Sequence, residues 1–184
     1  CFPRPLQGDS APGSPHNIPM WIAGGGEKKT LRIAAEYADY TNFSGMPEEF
    51  SAKSEILRGH CEAIGRPYDE IVRSANYNVV IGRDEAEVQE RLGWIRNHYT
   101  NAGLPADVVD STVKSFEDGP LVGTPEQVVE ALVDLQERGM RYAITYFVEQ
   151  AYDTSGVELF EQQVIPAFIE QEPHGNLWHF MHGR

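Results

Sequence analysis

Trp21-Ile22-Ala23-Gly24-Gly25-Gly26-Glu27-Lys28-Lys29-Thr30 is the stretch on which the fold turns. It completes a short apolar run that begins at Ile18 and breaks off at three glycines. A run of that length, closed by glycine, has the pattern of a buried strand leaving through a tight turn. Residues 30–38 then set Leu31, Ala34, Ala35 and Ala38 on one helical face. Strand, turn and helix in immediate succession make one β/α unit. They also make a chemical feature, because the N–H groups of the turn converge near the positive end of the helix dipole. The missing Cβ atoms let an anion approach them closely, and Lys28 and Lys29 add positive charge. The segment reads as a phosphate cradle, with a plain tight turn as the alternative. Two familiar cradles are excluded. A Walker loop needs glycine directly before its lysine, where Glu27 stands, and the dinucleotide fingerprint needs a third glycine where this chain has Glu or Lys.

Outward from this unit the pattern repeats. Residues 1–17 are rich in Pro, Gly and Ser and read as a loop arriving from something earlier. Cys1 in the first position suggests a gene product that starts before it, with a processed terminus as the alternative. Residues 39–43 read as a second strand. Pro47 opens a helix whose apolar stripe is Phe50, Leu57, Cys61 and Ile64, ended by Gly65. A third strand is expected within residues 71–82, carried by Asn78-Val79-Val80-Ile81. Asp84-Glu85-Ala86-Glu87 is a cap followed three residues on by Glu, and the helix it opens turns Val88, Leu92, Ile95 and Tyr99 inward. Residues 101–119 read as a polar, irregular excursion. Thr124-Pro125-Glu126-Gln127 combines a capping Thr, Pro at the first helical position and Gln three residues after the cap. Val128, Leu132 and Leu135 face inward before Gly139 closes that helix. Residues 142–148 form a fourth strand, and Ser155 opens a last helix with Val157, Phe160, Val164 and Phe168 inward. Alternation of this kind predicts a parallel sheet with crossover helices. Four units make half of an eight-stranded barrel or a small open sheet, and the pattern fits both.

The formal charge of −13 argues against a nucleic-acid partner, which requires clustered Lys and Arg. No apolar run approaches the roughly 20 residues of a spanning helix and no signal-peptide pattern opens the chain. A soluble, cytoplasmic protein without a membrane partner is expected. Cys1 and Cys61 support neither a disulfide framework nor a zinc site and read as two reduced thiols. His60 reads as a surface helix residue. His174, His179 and His182 lack accompanying carboxylate or cysteine ligands, so no metal is expected. Their tail instead offers Leu177, Trp178 and Phe180 for packing on a neighbour.

The segment from Ile18 through the glycines to Glu36-Tyr37-Ala38-Asp39-Tyr40-Thr41-Asn42 closely resembles the central segment of luciferase-like monooxygenases. Within them it is most similar to the group that depends on coenzyme F420, a deazaflavin. His60-Cys61-Glu62-Ala63-Ile64-Gly65-Arg66, Val122-Gly123-Thr124-Pro125-Glu126-Gln127-Val128, and Leu159-Phe160 with Val164-Ile165-Pro166-Ala167-Phe168 follow in the family's order. The resemblance covers about residues 1–170. It implies an α/β chain forming the C-terminal half, strands five to eight, of a (β/α)8 barrel, with residues 171–184 as a separate tail. It implies hydride transfer between coenzyme F420 and a small organic substrate, or, in the same class, an FMN-dependent monooxygenase. A reading from another class is a non-catalytic half-barrel that binds a phosphorylated ligand or a partner chain. The implied cofactor residues are Gly24, Gly25, Gly26, Glu27, Lys28 and Asn42, with Asn42 and Phe43, Gly82 and Arg83, and residues 147–149 rimming the pocket. Asn42 has a second reading, satisfying backbone in a sharp turn, and Arg83 a second reading as a solvated loop charge. The family's ring-positioning and proton-handling residues come largely from its first four strands, so no catalytic acid or base is assigned here. Open strand edges and exposed barrel-facing side chains, among them Val79-Val80-Ile81, predict a homo-oligomer.

Overall fold

The computed structural model describes residues 19–169. The expectations for the opening loop, Cys1 and the histidine tail lie outside them. The described residues divide into two compact units, 19–77 with 133–146, and 78–132 with 147–169.

The first unit holds a four-stranded sheet in the order β1 (Trp21–Ala23), β2 (Tyr40–Asn42), β3 (Val72–Asn78) and β6 (Tyr142–Tyr146). β1 and β2 pair in parallel with Ala23 opposite Asn42, and β2 and β3 pair in parallel with Asn42 opposite Ser74. Strand alternation therefore places Trp21, Tyr40, Asn42, Val72, Ser74 and Asn76 on one face and Ile22, Thr41, Arg73, Ala75 and Tyr77 on the other. Helices α1 (Thr30–Tyr37) and α2 (Pro47–Ile64) pack together in this unit. Leu31, Ala34, Ala35 and Ala38 are fully buried, as the helical stripe predicts. In α2 the buried stripe is Phe50, Ser54, Leu57 and Cys61. Ile64 is not part of it and is 49% exposed, because Gly65 in the left-handed region (φ 72°) ends the helix directly after it. Arg73 is buried on β3, its guanidinium held by the Gly139 and Ile71 carbonyls and stacked over Tyr68. Burial pushes its pKa down from the usual arginine range.

The third sheet strand differs from the expectation. It is Val72–Asn78, with polar residues on one face, and Val80–Ile81 is a separate short strand, β4, of the second unit. β4 pairs in parallel with β5 (Val122–Gly123). Val79, Val80 and Ile81 are fully buried rather than presented to solvent, because the chain leaves the sheet before reaching them. The exposed aromatics of the first unit are instead Trp21, Tyr37, Tyr142 and Tyr146. Trp21 stacks on Tyr40 at 4.5 Å, and Tyr142 meets both edge-on.

In the second unit, α3 (Glu85–Asn101) opens at Asp84, whose side chain accepts from the Glu87 N–H. Residues 106–117, read from sequence as irregular, form the helix α4 (Ala106–Glu117). Val109, Val113 and Phe116 lie on its inner face and join Val80, Val88, Leu92 and Ile95 in one apolar cluster. Helix α5 (Pro125–Glu137) starts where the sequence predicts, with Gln127 Oε1 accepting from the Thr124 N–H at 2.8 Å. That N–H bond survives in Thr124→Ala, which should cost at most about 1 kcal/mol in denaturant unfolding through the lost hydroxyl. It should leave ligand titrations unchanged, and a binding defect without a stability loss would give Thr124 a role beyond the cap. The last helices are α6 (Ser155–Gln163) and α7 (Pro166–Ile169), with Leu159 and Val164 as the buried side chains.

Candidate functional site

Because β1, β2 and β3 run parallel, their C-terminal ends share one edge of the sheet, and the glycine turn leaves from it. Gly24 has φ 121°, which side chains rarely adopt, and its N–H donates to the Asn42 carbonyl at 2.7 Å. Gly26 is sterically committed as well, because a Cβ there would stand 2.8 Å from the Thr30 hydroxyl. Gly25 is different. Its φ is not in the left-handed region and a Cβ would meet the Lys53 Cε at 3.4 Å, an ordinary contact. The N–H groups of Gly25, Gly26 and Glu27 meet no acceptor among the described residues, and no side chain caps α1. A turn built this way offers convergent donors to an oxyanion beside a helix N-terminus.

The residues named from sequence fare unequally around this turn. Glu27 points its carboxylate to Lys53 Nζ at 2.8 Å, and that hydrogen bond holds its pKa below the usual carboxylate range. Its carbonyl oxygen lies 2.7 Å from the His60 ring Nε2. Lys28 is exposed. Asn42 donates its amide to Ser74 Oγ and Asn76 Oδ1, both at 3.0 Å, so a polar ladder links the ends of β2 and β3. Phe43 is buried against Phe50. Sequence reading missed Lys53, and it gave His60 as a surface helix residue without its contact to the turn. Both project from α2 to the turn, 26 and 33 residues from Glu27, and only the packing of α2 brings them there.

Gly82, Arg83 and residues 147–149 belong to the second unit and have partners of their own. The Arg83 side chain is 78% exposed and pairs with Glu87 at 2.8 Å, the geometry of a solvated loop charge. Glu87 accepts from the Arg83 side chain and N–H and from Arg91, and these donors hold its pKa down to about 2. A carboxylate normally titrates near 4.3. With the folded pKa depressed, the stabilisation is fully present above the unfolded value and is lost as pH falls through the folded one. Glu87→Gln should therefore be less stable than the parent at neutral pH, with the gap closing between about pH 4 and 2 in thermal unfolding. A gap that closes above pH 5 would show that Glu87 is not held in this way.

The same unit contains a buried charge cluster that sequence reading did not single out. Arg91 Nη1 donates to Glu149 Oε1 at 2.9 Å, and Nη2 donates to Glu87 Oε1 and Ser155 Oγ, both at 2.8 Å. The signal was present in part, since Arg91 falls three residues after Val88 and four before Ile95, on the buried stripe of α3.

No curated protein matches the sequence. The structure is similar to a coenzyme F420-dependent tetrahydromethanopterin reductase from Methanopyrus kandleri, with 20% identity, TM-score 0.60, and coverage of 82% of this chain and 51% of that one. It is similar to a long-chain alkane monooxygenase at 20% identity and TM-score 0.61, covering 84% of this chain and 42% of that one. An EDTA monooxygenase from Chelativorans sp. BNC1 matches at 20% identity and TM-score 0.58, covering 81% and 43%. The chain thus spans about half the length of these relatives, and its parallel α/β build agrees with a partial luciferase-like barrel. The sequence model for luciferase-like monooxygenases matches residues 2–142. The chain belongs to the luciferase-like monooxygenase family.

Proposed function

We propose that this chain carries the cofactor-phosphate site of an oxidoreductase that uses coenzyme F420 to transfer hydride to or from a small organic substrate. The observation that supports this is the turn of Gly24, Gly25 and Gly26 at the C-terminal edge of a parallel sheet, where the N–H groups of Gly25, Gly26 and Glu27 meet no acceptor among the described residues. The site fits a phosphate in a second respect, since Lys53 brings a cation to the side of Gly25 where a Cβ would stand. When bound, the deazaflavin would supply the hydride chemistry. The chain's own part is to hold the phosphate with the glycine N–H groups. Lys28 would add positive charge, with Lys53 shared between the phosphate and Glu27, and Asn42, already fixed by Ser74 and Asn76, would present its side-chain amide oxygen at the pocket rim. Solved neighbours include an F420-dependent secondary alcohol dehydrogenase with an F420-acetone adduct, which favours the deazaflavin.

A flavin reading is favoured by another neighbour, a riboflavin lyase holding modified FMN. The cradle serves the phosphate of either cofactor. Fluorescence titration of the purified chain with coenzyme F420, FMN and riboflavin separates the readings. The F420 reading expects the tightest binding for F420. Tighter FMN than F420 binding would replace it with the flavin one, and FMN binding no better than riboflavin would remove the phosphate from the account. The chain is also expected to self-associate through the exposed Trp21, Tyr142 and Tyr146, which light scattering across a concentration series reads directly. A monomer at every concentration would count against the homo-oligomer.

A further inference from the structure

The buried cluster of the second unit lines a cavity of about 310 Å³, within the range of small-ligand sites. Arg91 spends both Nη groups on Glu149, Glu87 and Ser155. The Glu149 side chain is only 5% exposed, yet its second oxygen, Oε2, finds no donor and Arg91 Nε no acceptor among the described residues. A buried carboxylate oxygen without a donor is costly, so it selects for a group that brings an N–H. Gly156 packs so closely that a Cβ there would stand 3.1 Å from both Arg91 Nη1 and Glu149 Oε1, so a larger side chain at this position would crowd the pair.

The charge around the cavity is unbalanced. Glu87, Glu149, Asp153 and Glu90 oppose only Arg83 and Arg91 among the lining residues. Glu87 is shared by both arginines, and Glu149 takes the remaining Nη1 of Arg91. Asp153 has its Oδ1 on the Ser155 N–H, which leaves negative charge at the mouth. Beside these carboxylates Trp94 lines the cavity, and further rings pack against it. Trp94 stacks on His98 at 4.8 Å and lies 5.6 Å from Tyr152, which is 71% exposed. Carboxylates next to indole and phenol rings form the environment that recognises an organic cation, through charge, hydrogen bonds and the ring faces.

We propose that this cavity is a binding site for a small organic ammonium ion. Its stem lies along Trp94, and its N–H groups go to Glu149 Oε2 and Asp153. A small rotation of the Glu149 carboxylate opens the shielded oxygen to the ligand. The site is separate from the glycine turn and does not rest on the cofactor reading.

Phenethylammonium, with phenethyl alcohol and 3-phenylpropionate as its neutral and anionic counterparts, probes the site in the full chain. Binding is read from amide and indole N–H shifts of ¹⁵N-labelled protein. Saturable shifts of Trp94 and its neighbours are expected for the ammonium, weaker with added salt, with affinity at least about tenfold above that for the alcohol. Glu149→Gln should reduce the affinity about tenfold. Since that substitution disturbs a buried pair, Asp153→Asn provides a second variant at an exposed position, expected to weaken binding about threefold with an unchanged spectrum elsewhere. Absence of saturable shifts, equal binding of the alcohol, preference for the carboxylate, or retention of full affinity in both variants would each overturn the assignment.

Discussion

Arg91→Leu should destabilise the protein by about 3–5 kcal/mol, the cost of leaving a buried charge without its partner. Glu149 is 4% exposed, and without Arg91 it keeps no side-chain donor at either oxygen among the described residues. Ser155 and Glu87 lose contacts in the same substitution, although Glu87 retains Arg83. The sign reverses when both charges are removed. Arg91→Leu combined with Glu149→Leu exchanges the pair for apolar volume beside Trp94, and such exchanges are often neutral or favourable. Urea unfolding of the parent, both single variants and the double variant closes the cycle. The double variant is expected to be more stable than Arg91→Leu alone. If the single variant cost less than about 1 kcal/mol, the pair would be solvated in solution and would not act as a buried unit.

The parts of the fold that were legible from sequence share a physical property, namely that their signals are local. The apolar run ending in three glycines states a strand and its exit in consecutive residues. The cap at Asp84, the start at Thr124 and the αL exits at Gly65 and Gly139 are likewise settled within one turn of chain. Helix α4 was missed because its buried positions, Val109, Val113 and Phe116, are outnumbered by Asp107, Asp110, Ser111, Thr112, Lys114 and Ser115 on the solvated side. The stripe at i, i+4 and i+7 was there to be found. The third strand was misplaced for the opposite reason. Val79-Val80-Ile81 is the more β-like string, but Val72–Asn78 forms the sheet, carrying a buried Arg73 on one face and Ser74 and Asn76 on the other. Polar residues fit there because their partners lie across the sheet, Asn42 for Ser74 and Asn76, and the Gly139 carbonyl for Arg73. Such long-range partners leave no mark in a local pattern. Lys53 and His60 were hidden in the same way, since each reads as an ordinary polar position of α2 until α1 packs on that helix.

Gly25→Asp should weaken binding of a phosphorylated cofactor by two orders of magnitude or more, about 3 kcal/mol, while leaving the fold intact. The three glycines differ in what they allow. Gly24 needs its φ of 121° and Gly26 has no room beside Thr30, so side chains at either position would disturb the turn itself. Gly25 tolerates a Cβ at 3.4 Å from Lys53 Cε, and an aspartate there would find the Lys53 ammonium within reach. That contact makes the variant a clean probe. The new carboxylate would compete with Glu27 for Lys53 and place a negative charge where the phosphate is expected, beside the N–H groups that would receive it. Thermal unfolding should change by less than about 1 kcal/mol, because the site is solvent-facing and the new charge finds a partner. Gly25→Ala separates charge from bulk, since it adds the same Cβ without the carboxylate and should lose far less affinity. The readout is a titration of each variant with coenzyme F420 or FMN beside the phosphate-free chromophore. Loss confined to the phosphorylated ligand is the expected result. Equal losses for both ligands would mean that the turn touches the ring system or shapes the pocket, and that the phosphate is held elsewhere.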